Sequence, residues 1–316
     1  MVSSFVLQNL TTMEKATFGQ EPKYEFLYKE DGLDWGQAQA NHNTYTYPGQ
    51  IGVYISSTVV RGRDISITGY ACYMLSAEEM KNIPFSERVA YGYKKILRKK
   101  EKLNGIVNPF HFVRLTIGSY YIEGKPSSSI KYGQTESENN QFFCKFTINL
   151  FCNDPMFRKA SAIQTVLNGV SPAFHFPLVF PKDKGIIFSE QRAYSLIAIE
   201  NEGQVDIGAL ITLKARGNVS NPVIENIGTG ERIVINKTLE TNEVIEIDTT
   251  DGNSKSIKGY KDGEWFNYFK YWNFENDWLK FPLGISLIGY SVDDELESLL
   301  DVSVSLIPKK YTLEEM

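Results

Sequence analysis

The feature that most limits what this chain can fold into is an alternation near its middle. Phe142, Cys144, Phe146, Ile148, Leu150 and Cys152 share one parity, with Lys145, Thr147 and Asn149 on the other. Successive side chains of a strand point to opposite faces, so this pattern predicts a strand with one face on a core. A helix would scatter the same six side chains around its axis. Ile65, Ile67 and Gly69 alternate with Ser66, Thr68 and Tyr70 in the same way. Composition agrees: 18 Tyr and 19 Phe, with many Ile, Val and Thr, favour strands. Residues 110–117 also read as a strand. Beyond Gly185 short strands are expected at 195–201, 207–215, 222–227, 233–235, 244–248 and 283–290. Turn signals at Gly228-Thr229-Gly230, Asp251-Gly252 and Asp262-Gly263 separate several of them. Strands at that spacing predict a β-sandwich.

Helix is expected in one region. Ser76-Ala77-Glu78-Glu79 is a capping-box pattern opening a short turn that Pro84 stops. A longer helix is predicted from Ser86, with Val89, Tyr93, Ile96, Leu97 and Leu103 on its core face and Asn104-Gly105 as its stop. Lys94, Lys95, Arg98, Lys99, Lys100 and Lys102 line the other side, read as a solvated face. Pro48-Gly49 marks a turn, and His42 is placed in a loop. Pro172, Pro177 and Pro181 interleave with Phe174, Phe176 and Phe180 in a semi-rigid extended strap. With 316 residues the chain has room for two domains. The expected organisation is a first domain over 1–157, a strap over 158–185 and a second domain over 186–316.

Chemistry is hard to find. His42, His111 and His175 lie far apart, and none has a partner at metal-ligand spacing. Cys72, Cys144 and Cys152 are odd in number and form no CxxC pair, which fits a reducing compartment at synthesis. Gly169-Val170-Ser171-Pro172-Ala173 misses the nucleophile-elbow pattern at its last position. No phosphate-binding glycine motif occurs, so no nucleotide or other cofactor is implied. Asp262, Glu264, Asp293, Asp294 and Glu295 read as solvated turn residues, with no pair singled out for glycoside hydrolysis. No apolar run is long enough to span a bilayer, and residues 1–10 lack the features of a secretion signal. Through Pro155 there are 17 Lys and Arg against 15 Asp and Glu, and beyond it 16 against 23. An acidic second half argues against nucleic-acid reading. Trp265, Phe266, Tyr268, Phe269, Tyr271, Trp272, Phe274 and Trp278 crowd into fourteen residues. They can fill a core, anchor a protein partner or stack on sugar rings; Trp265, Trp272 and Trp278 are the candidates for a partner or sugar surface.

Several segments carry a resemblance. They are Gly32-Leu33-Asp34-Trp35-Gly36, residues 47–55, Gly62-Arg63-Asp64-Ile65-Ser66-Ile67-Thr68-Gly69-Tyr70 and residues 146–155. Asn221-Pro222-Val223-Ile224-Glu225-Asn226 with Thr229-Gly230-Glu231, and residues 239–249, extend it into the second half. In order and spacing these resemble the distal tail protein family (Dit) of long-tailed phages that infect Gram-positive bacteria, with relatives in phage-tail-like bacteriocins. The resemblance implies a mainly β chain. Its N-terminal β-sandwich, with one helix and a hairpin, would close into a homohexameric ring, followed by a galectin-like β-sandwich. It implies a structural virion protein at the tail tip, made in the bacterial host cytoplasm and catalysing nothing. Its partners would be the tail tube protein, the central tail-tip hub or tail-associated lysin, and receptor-binding components. Gly62, Arg63, Asp64 and Gly69 would be packing or ring-contact residues, with Arg63 and Asp64 a charged pair at a strand entrance. The alternative is a carbohydrate-binding or cell-wall-acting baseplate protein using the second sandwich.

Overall fold

The computed structural model describes residues 4–49, 51–166, 168–172, 189–193, 196–251, 254–273, 275–293 and 297–313. The chain is mainly β and forms two compact units. Met1–Ala160 and Tyr311–Met316 make up the first, and Ser161–Lys310 the second. Most of the proline strap, with His175, lies outside the described residues, as do Phe174, Phe274, Asp294 and Glu295. No described helix is long and apolar enough to cross a membrane.

The first unit contains β1 (Ser4–Asn9), β2 (Lys15–Gly19), β3 (Phe26–Asp34), β4 (Ala40–Tyr45), β5 (Tyr54–Val60) and β6 (Arg63–Cys72). After α1 (Ala77–Asn82) and α2 (Arg88–Ile106) come β7 (Val113–Ile117), β8 (Tyr120–Pro126), β9 (Lys131–Tyr132), β10 (Phe143–Cys152) and β11 (Phe157–Lys159). The strands β8-β7-β1-β2-β3-β6-β10 are bonded in that order, and β10 pairs back to β8 through Leu150↔Pro126 and Phe151↔Lys125. The two facing layers expected of a sandwich are thus one sheet curled until it closes. The alternating runs behave as their parity requires except at Phe142, which lies just ahead of β10 and is exposed. Ile65, Ile67, Cys144, Phe146, Ile148, Leu150 and Cys152 are buried, and β6 and β10 pair antiparallel from Phe143↔Cys72 to Cys152↔Arg63.

Phenylalanine rings fill the interior. Phe5 stacks on Phe18 at 4.7 Å, Phe18 on Phe26 at 5.2 Å, and Phe146 meets Phe26 edge-on at 5.6 Å. Such offset and edge-on pairs add attraction beyond buried area. Gly69 faces Phe146 across the ladder, and a Cβ there would lie 2.7 Å from Phe146 Cζ and 2.9 Å from the Leu27 carbonyl oxygen. The ring occupies the space a side chain would need.

The capping box forms as its sequence predicts. Glu79 N–H donates to Ser76 Oγ at 3.2 Å, and Ser76 N–H donates to Glu79 Oε2 at 3.0 Å. The long helix departs from its expected face and ends. Phe85–Glu87 forms a 3-10 turn, α2 starts at Arg88, and it runs through Gly105 to Ile106. Its buried residues are Ile96, Leu103 and Ile106, whereas Val89, Tyr93 and Leu97 are exposed. Only the C-terminal half of α2 lies on the core. Lys99, expected in solvent, folds back on that side: Nζ donates to the Glu25 carbonyl at 2.6 Å and the Cys72 carbonyl at 2.9 Å. Burial holds its pKa below the usual lysine value.

The second unit is a two-layer sandwich. Its six-stranded sheet runs Ile163–Val166, Leu300–Leu306, Ala209–Ala215, Val244–Asp248, Ser256–Lys261, Glu264–Asn267. A four-stranded sheet runs Leu196–Asn201, Gly284–Ser291, Val223–Asn226, Arg232–Val234. Their inward residues, among them Ile211, Leu213, Ile245, Ile247, Ile224 and Ile288, meet in one core. Four strands of the larger sheet escape the sequence reading: Ile163–Val166, which falls in the expected strap, Leu300–Leu306, Ser256–Lys261 and Glu264–Asn267. The last two form a hairpin whose turn, Asp262-Gly263, has positive φ at both positions (52° and 89°).

Replacing Gly69 tests the close packing of β6 on β10. Alanine is usually the better strand residue, yet Gly69→Ala is expected to lower stability by about 1–3 kcal/mol because neither the ring nor the carbonyl can move away freely. Urea denaturation of the full chain measures this, and unchanged or raised stability would refute the account.

Candidate assembly surface

The residue that opens β6 anchors the site. Arg63 is 3% exposed, and its Nη2 donates to the Tyr311 carbonyl at 2.7 Å. The guanidinium lies 4.9 Å from the Phe157 ring centroid, and Nε has no hydrogen-bond partner among the described residues. Burial lowers its pKa. Asp64 is exposed on the opposite face, as neighbouring strand residues must be, so the expected Arg63–Asp64 charged pair does not form. What Arg63 does instead is hold the returning C-terminal segment, whose Leu313 packs against the same core. Gly62 is as confined as Gly69: a Cβ would lie 2.6 Å from Phe151 Cζ and 2.7 Å from the Cys152 carbonyl oxygen.

Immediately before this anchored strand the chain projects a hairpin. β4 and β5 pair only with each other, from Ala40↔Val60 to Tyr45↔Tyr54, with a register shift after Asn43. Every residue of both strands is exposed. Gly49 and Gly52 take positive φ (82° and 92°) in the turn, a backbone glycine adopts without steric cost. Across the strands His42 Nδ1 and Thr58 Oγ1 lie 2.9 Å apart, and Asn43 Nδ2 donates to Ser57 Oγ at 2.8 Å. The Tyr45 ring contacts Tyr54 at 4.8 Å and Tyr47 at 5.2 Å. Tyr47, Ile51, Val53, Tyr54, Ile55 and Val59 are all open to solvent, Ile51 to 102%. At its root is a cleft of about 640 Å³ that includes Asp34, Gln39, Arg61, Asp64 and Phe151.

A lone two-stranded sheet is marginally stable in water, and an exposed apolar patch of this kind marks an interaction surface. Residues 35–60 contain no Asp, Glu, Lys or Arg, although 22% of the chain is charged. The hairpin thus has neither a core to pack on nor the charges that keep an exposed edge apart from other edges. The sequence marks the Pro-Gly turn but places His42 in a loop. β4 reads Ala-Asn-His-Asn-Thr-Tyr, whose asparagines and lack of an apolar parity disguise a strand that buries nothing. The charge-free stretch was the signal available.

The aromatic cluster of the second unit is divided. Tyr268 is in the core, where its hydroxyl donates to Glu243 Oε1 at 2.6 Å, and Lys237 pairs with the same carboxylate at 2.9 Å. Burial pushes the Glu243 carboxyl up, but hydrogen bonds from Tyr268, the Glu240 backbone and Lys237 outweigh it and hold the pKa below the usual value. Trp272 and Trp278 stack at 4.3 Å, partly buried against that core. Trp265, 52% exposed, sits on the edge strand against Tyr260, beside a cleft of about 330 Å³ that Phe266, Phe269, Lys255, Lys258 and Asn267 share. The three tryptophans therefore do not form one platform.

Among the described residues no three His, Cys, Asp or Glu side chains gather as metal ligands would. His111 Nδ1 lies 3.1 Å from Asn9 Nδ2, a structural contact. Cys144 and Cys152 are buried free thiols, and burial pushes the Cys152 pKa up to about 12, away from nucleophilic chemistry.

No protein-family model and no curated protein matches this chain. Among solved structures it is similar to the Dit protein of SPP1, described as a paradigm of the hub adsorption apparatus in Gram-positive infecting phages. The TM-score is 0.61 at 11% identity, covering 96% of this chain and 98% of that one. Two structures of the phage P2 baseplate in its activated conformation, with Ca and with Sr, align at TM-scores of 0.45 and 0.43, both at 14% identity. They cover 99% and 97% of this chain and 100% and 98% of theirs. The chain has the fold of the SPP1 Dit protein, the fold its sequence resemblance implies.

The Arg63 anchor yields a test by double-mutant cycle. Deleting residues 311–316 removes the acceptor from a buried charge and is expected to cost about 1.5–3 kcal/mol. In an Arg63→Met background, where no buried donor is left orphaned, the same deletion should cost clearly less. Equal costs in the two backgrounds, measured by denaturant unfolding, would show that the bond to Tyr311 is incidental.

Proposed function

We propose that this chain is the hub ring of a phage tail tip. Six copies would close into a ring through the first unit, join the tail tube protein on one side, and hold the central tail-tip hub or tail-associated lysin on the other. The observation that carries this reading is the likeness to the SPP1 Dit protein over 96% of the chain, both units included. The hairpin supports it independently: 26 consecutive uncharged residues, solvent-exposed throughout both strands, need covering, and a ring covers them with copies of the same chain. The second unit would then face peripheral receptor-binding components. No catalytic step enters this reading. The work is to present several rigid surfaces at fixed spacing, and strands locked by ring stacking suit that task better than loops.

A second reading rests on one observation. Trp265, Phe266 and Phe269 are exposed around a cleft that also offers Lys255, Lys258 and Asn267. An aromatic face with hydrogen-bond donors beside it can stack on a sugar ring, which is the carbohydrate-binding alternative. A glycan array comparing wild type with Trp265→Ala separates the two. Specific binding lost in the variant favours the sugar reading, and no binding by either protein removes it.

For the ring, light scattering and negative-stain imaging of the full-length protein should find hexamers with a central hole at high concentration. Ile51→Asp with Val53→Asp should shift assembly to at least about tenfold higher concentration, the effect of roughly 1.4 kcal/mol per contact. The thermal unfolding midpoint should stay unchanged, because both residues are exposed. A protein that stays monomeric at every concentration would end the proposal.

A further inference from the structure

The sequence assigns Val89 and Tyr93 to the core, and the structure leaves them open. With Phe85, which is 85% exposed, they form a stripe at four-residue spacing along the first half of α2 and the turn before it. Such a stripe on a folded unit normally lies against something. It is one wall of a cleft of about 510 Å³, with Val89, Ala90 and Tyr93 on one side and Asn139, Asn140 and Gln141 on the other. The opposite wall is built in advance. Asn140 Oδ1 accepts from Phe142 N–H at 2.9 Å and Phe143 N–H at 3.2 Å. Asn139 N–H donates to the Thr135 carbonyl at 2.9 Å, and Lys145 pairs with Glu138 at 2.9 Å behind the loop.

Charge sets this cleft apart. From residue 94 onward α2 carries Lys94, Lys95, Arg98, Lys99, Lys100 and Lys102, yet no residue lining the cleft is charged. The longest exposed strand pair of the first unit, the hairpin, has the same character, uncharged throughout and tipped by Ile51 and Val53. We infer that the cleft receives the hairpin tip of a second copy of this chain, and that this contact joins neighbours in the ring.

The inference rests on the ring reading and adds the surface that accepts the hairpin. A cyclic assembly is built head to tail, from two different patches on each copy. Hairpin and cleft are two such patches on one compact unit, and each copy supplies one of each. Placing an uncharged tip in an uncharged cleft strips water from no ion, so no buried pair must offset a desolvation cost. The hairpin gains the packing layer it lacks, and the helix stripe gains the cover it lacks. The hairpin's own copy does not supply that cover, because both strands are exposed throughout.

The test uses full-length Ile51→Cys and Ala90→Cys proteins, both exposed positions, mixed in equal amounts and treated with a short bismaleimide. Thiols held together in an assembly should link on the order of a hundredfold faster than free chains at micromolar concentration. The expected result is a covalent dimer that requires both variants, far above a control mixture of Ile51→Cys with Lys258→Cys. Val89→Asp should suppress the cross-link while leaving the unfolding midpoint in place. If light scattering shows the hexamer but the mixture links no faster than the control, the cleft is not the acceptor and the ring stands. If the chain remains monomeric, ring and acceptor fall together.

Discussion

The antiparallel pairing of β6 with β10 is the constraint on which the rest of the first unit depends. It brings the two longest alternations in the chain into one register, from Phe143↔Cys72 to Cys152↔Arg63. That register places Phe146 over Gly69 and Phe151 beside Gly62, so the two glycines make room for rings that could not otherwise enter the ladder. It lets β10 turn its far end to β8 and close the sheet. Because a slip of one residue would turn every core side chain of a strand to solvent, the register is strongly specified. Arg63, the first residue of that ladder, is held by Tyr311, and the chain leaving its N-terminal side is the exposed hairpin. The least supported element of the unit therefore emerges from one of its best supported points.

That arrangement separates folding from assembly. The closed sheet buries its aromatic core without help from the hairpin, which contributes no residue to it. The hairpin is held by a few side-chain hydrogen bonds and a tyrosine pair, interactions worth about 0.2–1 kcal/mol each across a sheet. Its order and its burial by a partner are thus linked: whatever covers it also supplies the packing that a two-stranded sheet cannot provide for itself. The cleft lined by Val89, Ala90 and Tyr93 is likewise free of charge. Surfaces that must separate from one another in solution carry lysines and carboxylates, as the second half of α2 does, and surfaces that must stay joined do not.

Local patterns were legible in the sequence, and features set by distant partners were not. The parity of 65–69 and 144–152, the Ser76 capping box and most strands of the second unit follow from neighbours in the chain. The closure of β10 on β8 does not, since Leu150↔Pro126 joins segments whose own patterns say nothing of each other. The face of α2 was misjudged for a related reason. Val89, Tyr93 and Leu97 have helical spacing, but the core reaches only the half of the helix that holds Ile96, Leu103 and Ile106. Periodicity reveals that a face is apolar and leaves open what covers it. Leu300–Leu306 is a different case: Leu300, Val302, Val304 and Leu306 alternate cleanly, and the signal was present but unread. At the candidate site, a Cβ on Gly62 or Gly69 would meet a phenylalanine ring and a backbone carbonyl, whereas the Arg63–Asp64 pair ignored the alternation of the strand they share.

The second unit shows how a surface can vary without endangering the fold beneath it. Its aromatic segment is anchored at Tyr268, buried on Glu243 together with Lys237. A buried carboxylate that loses one of two such partners is costly, so this position is fixed. Gly259 is fixed with it, because the Tyr268 ring fills the space where its Cβ would lie. Trp265 and Phe266, three and two residues from Tyr268, stand on the edge strand with every residue exposed. Exchanging them leaves the anchor untouched. A sandwich built this way can keep one core while its outer edge is refitted to different partners.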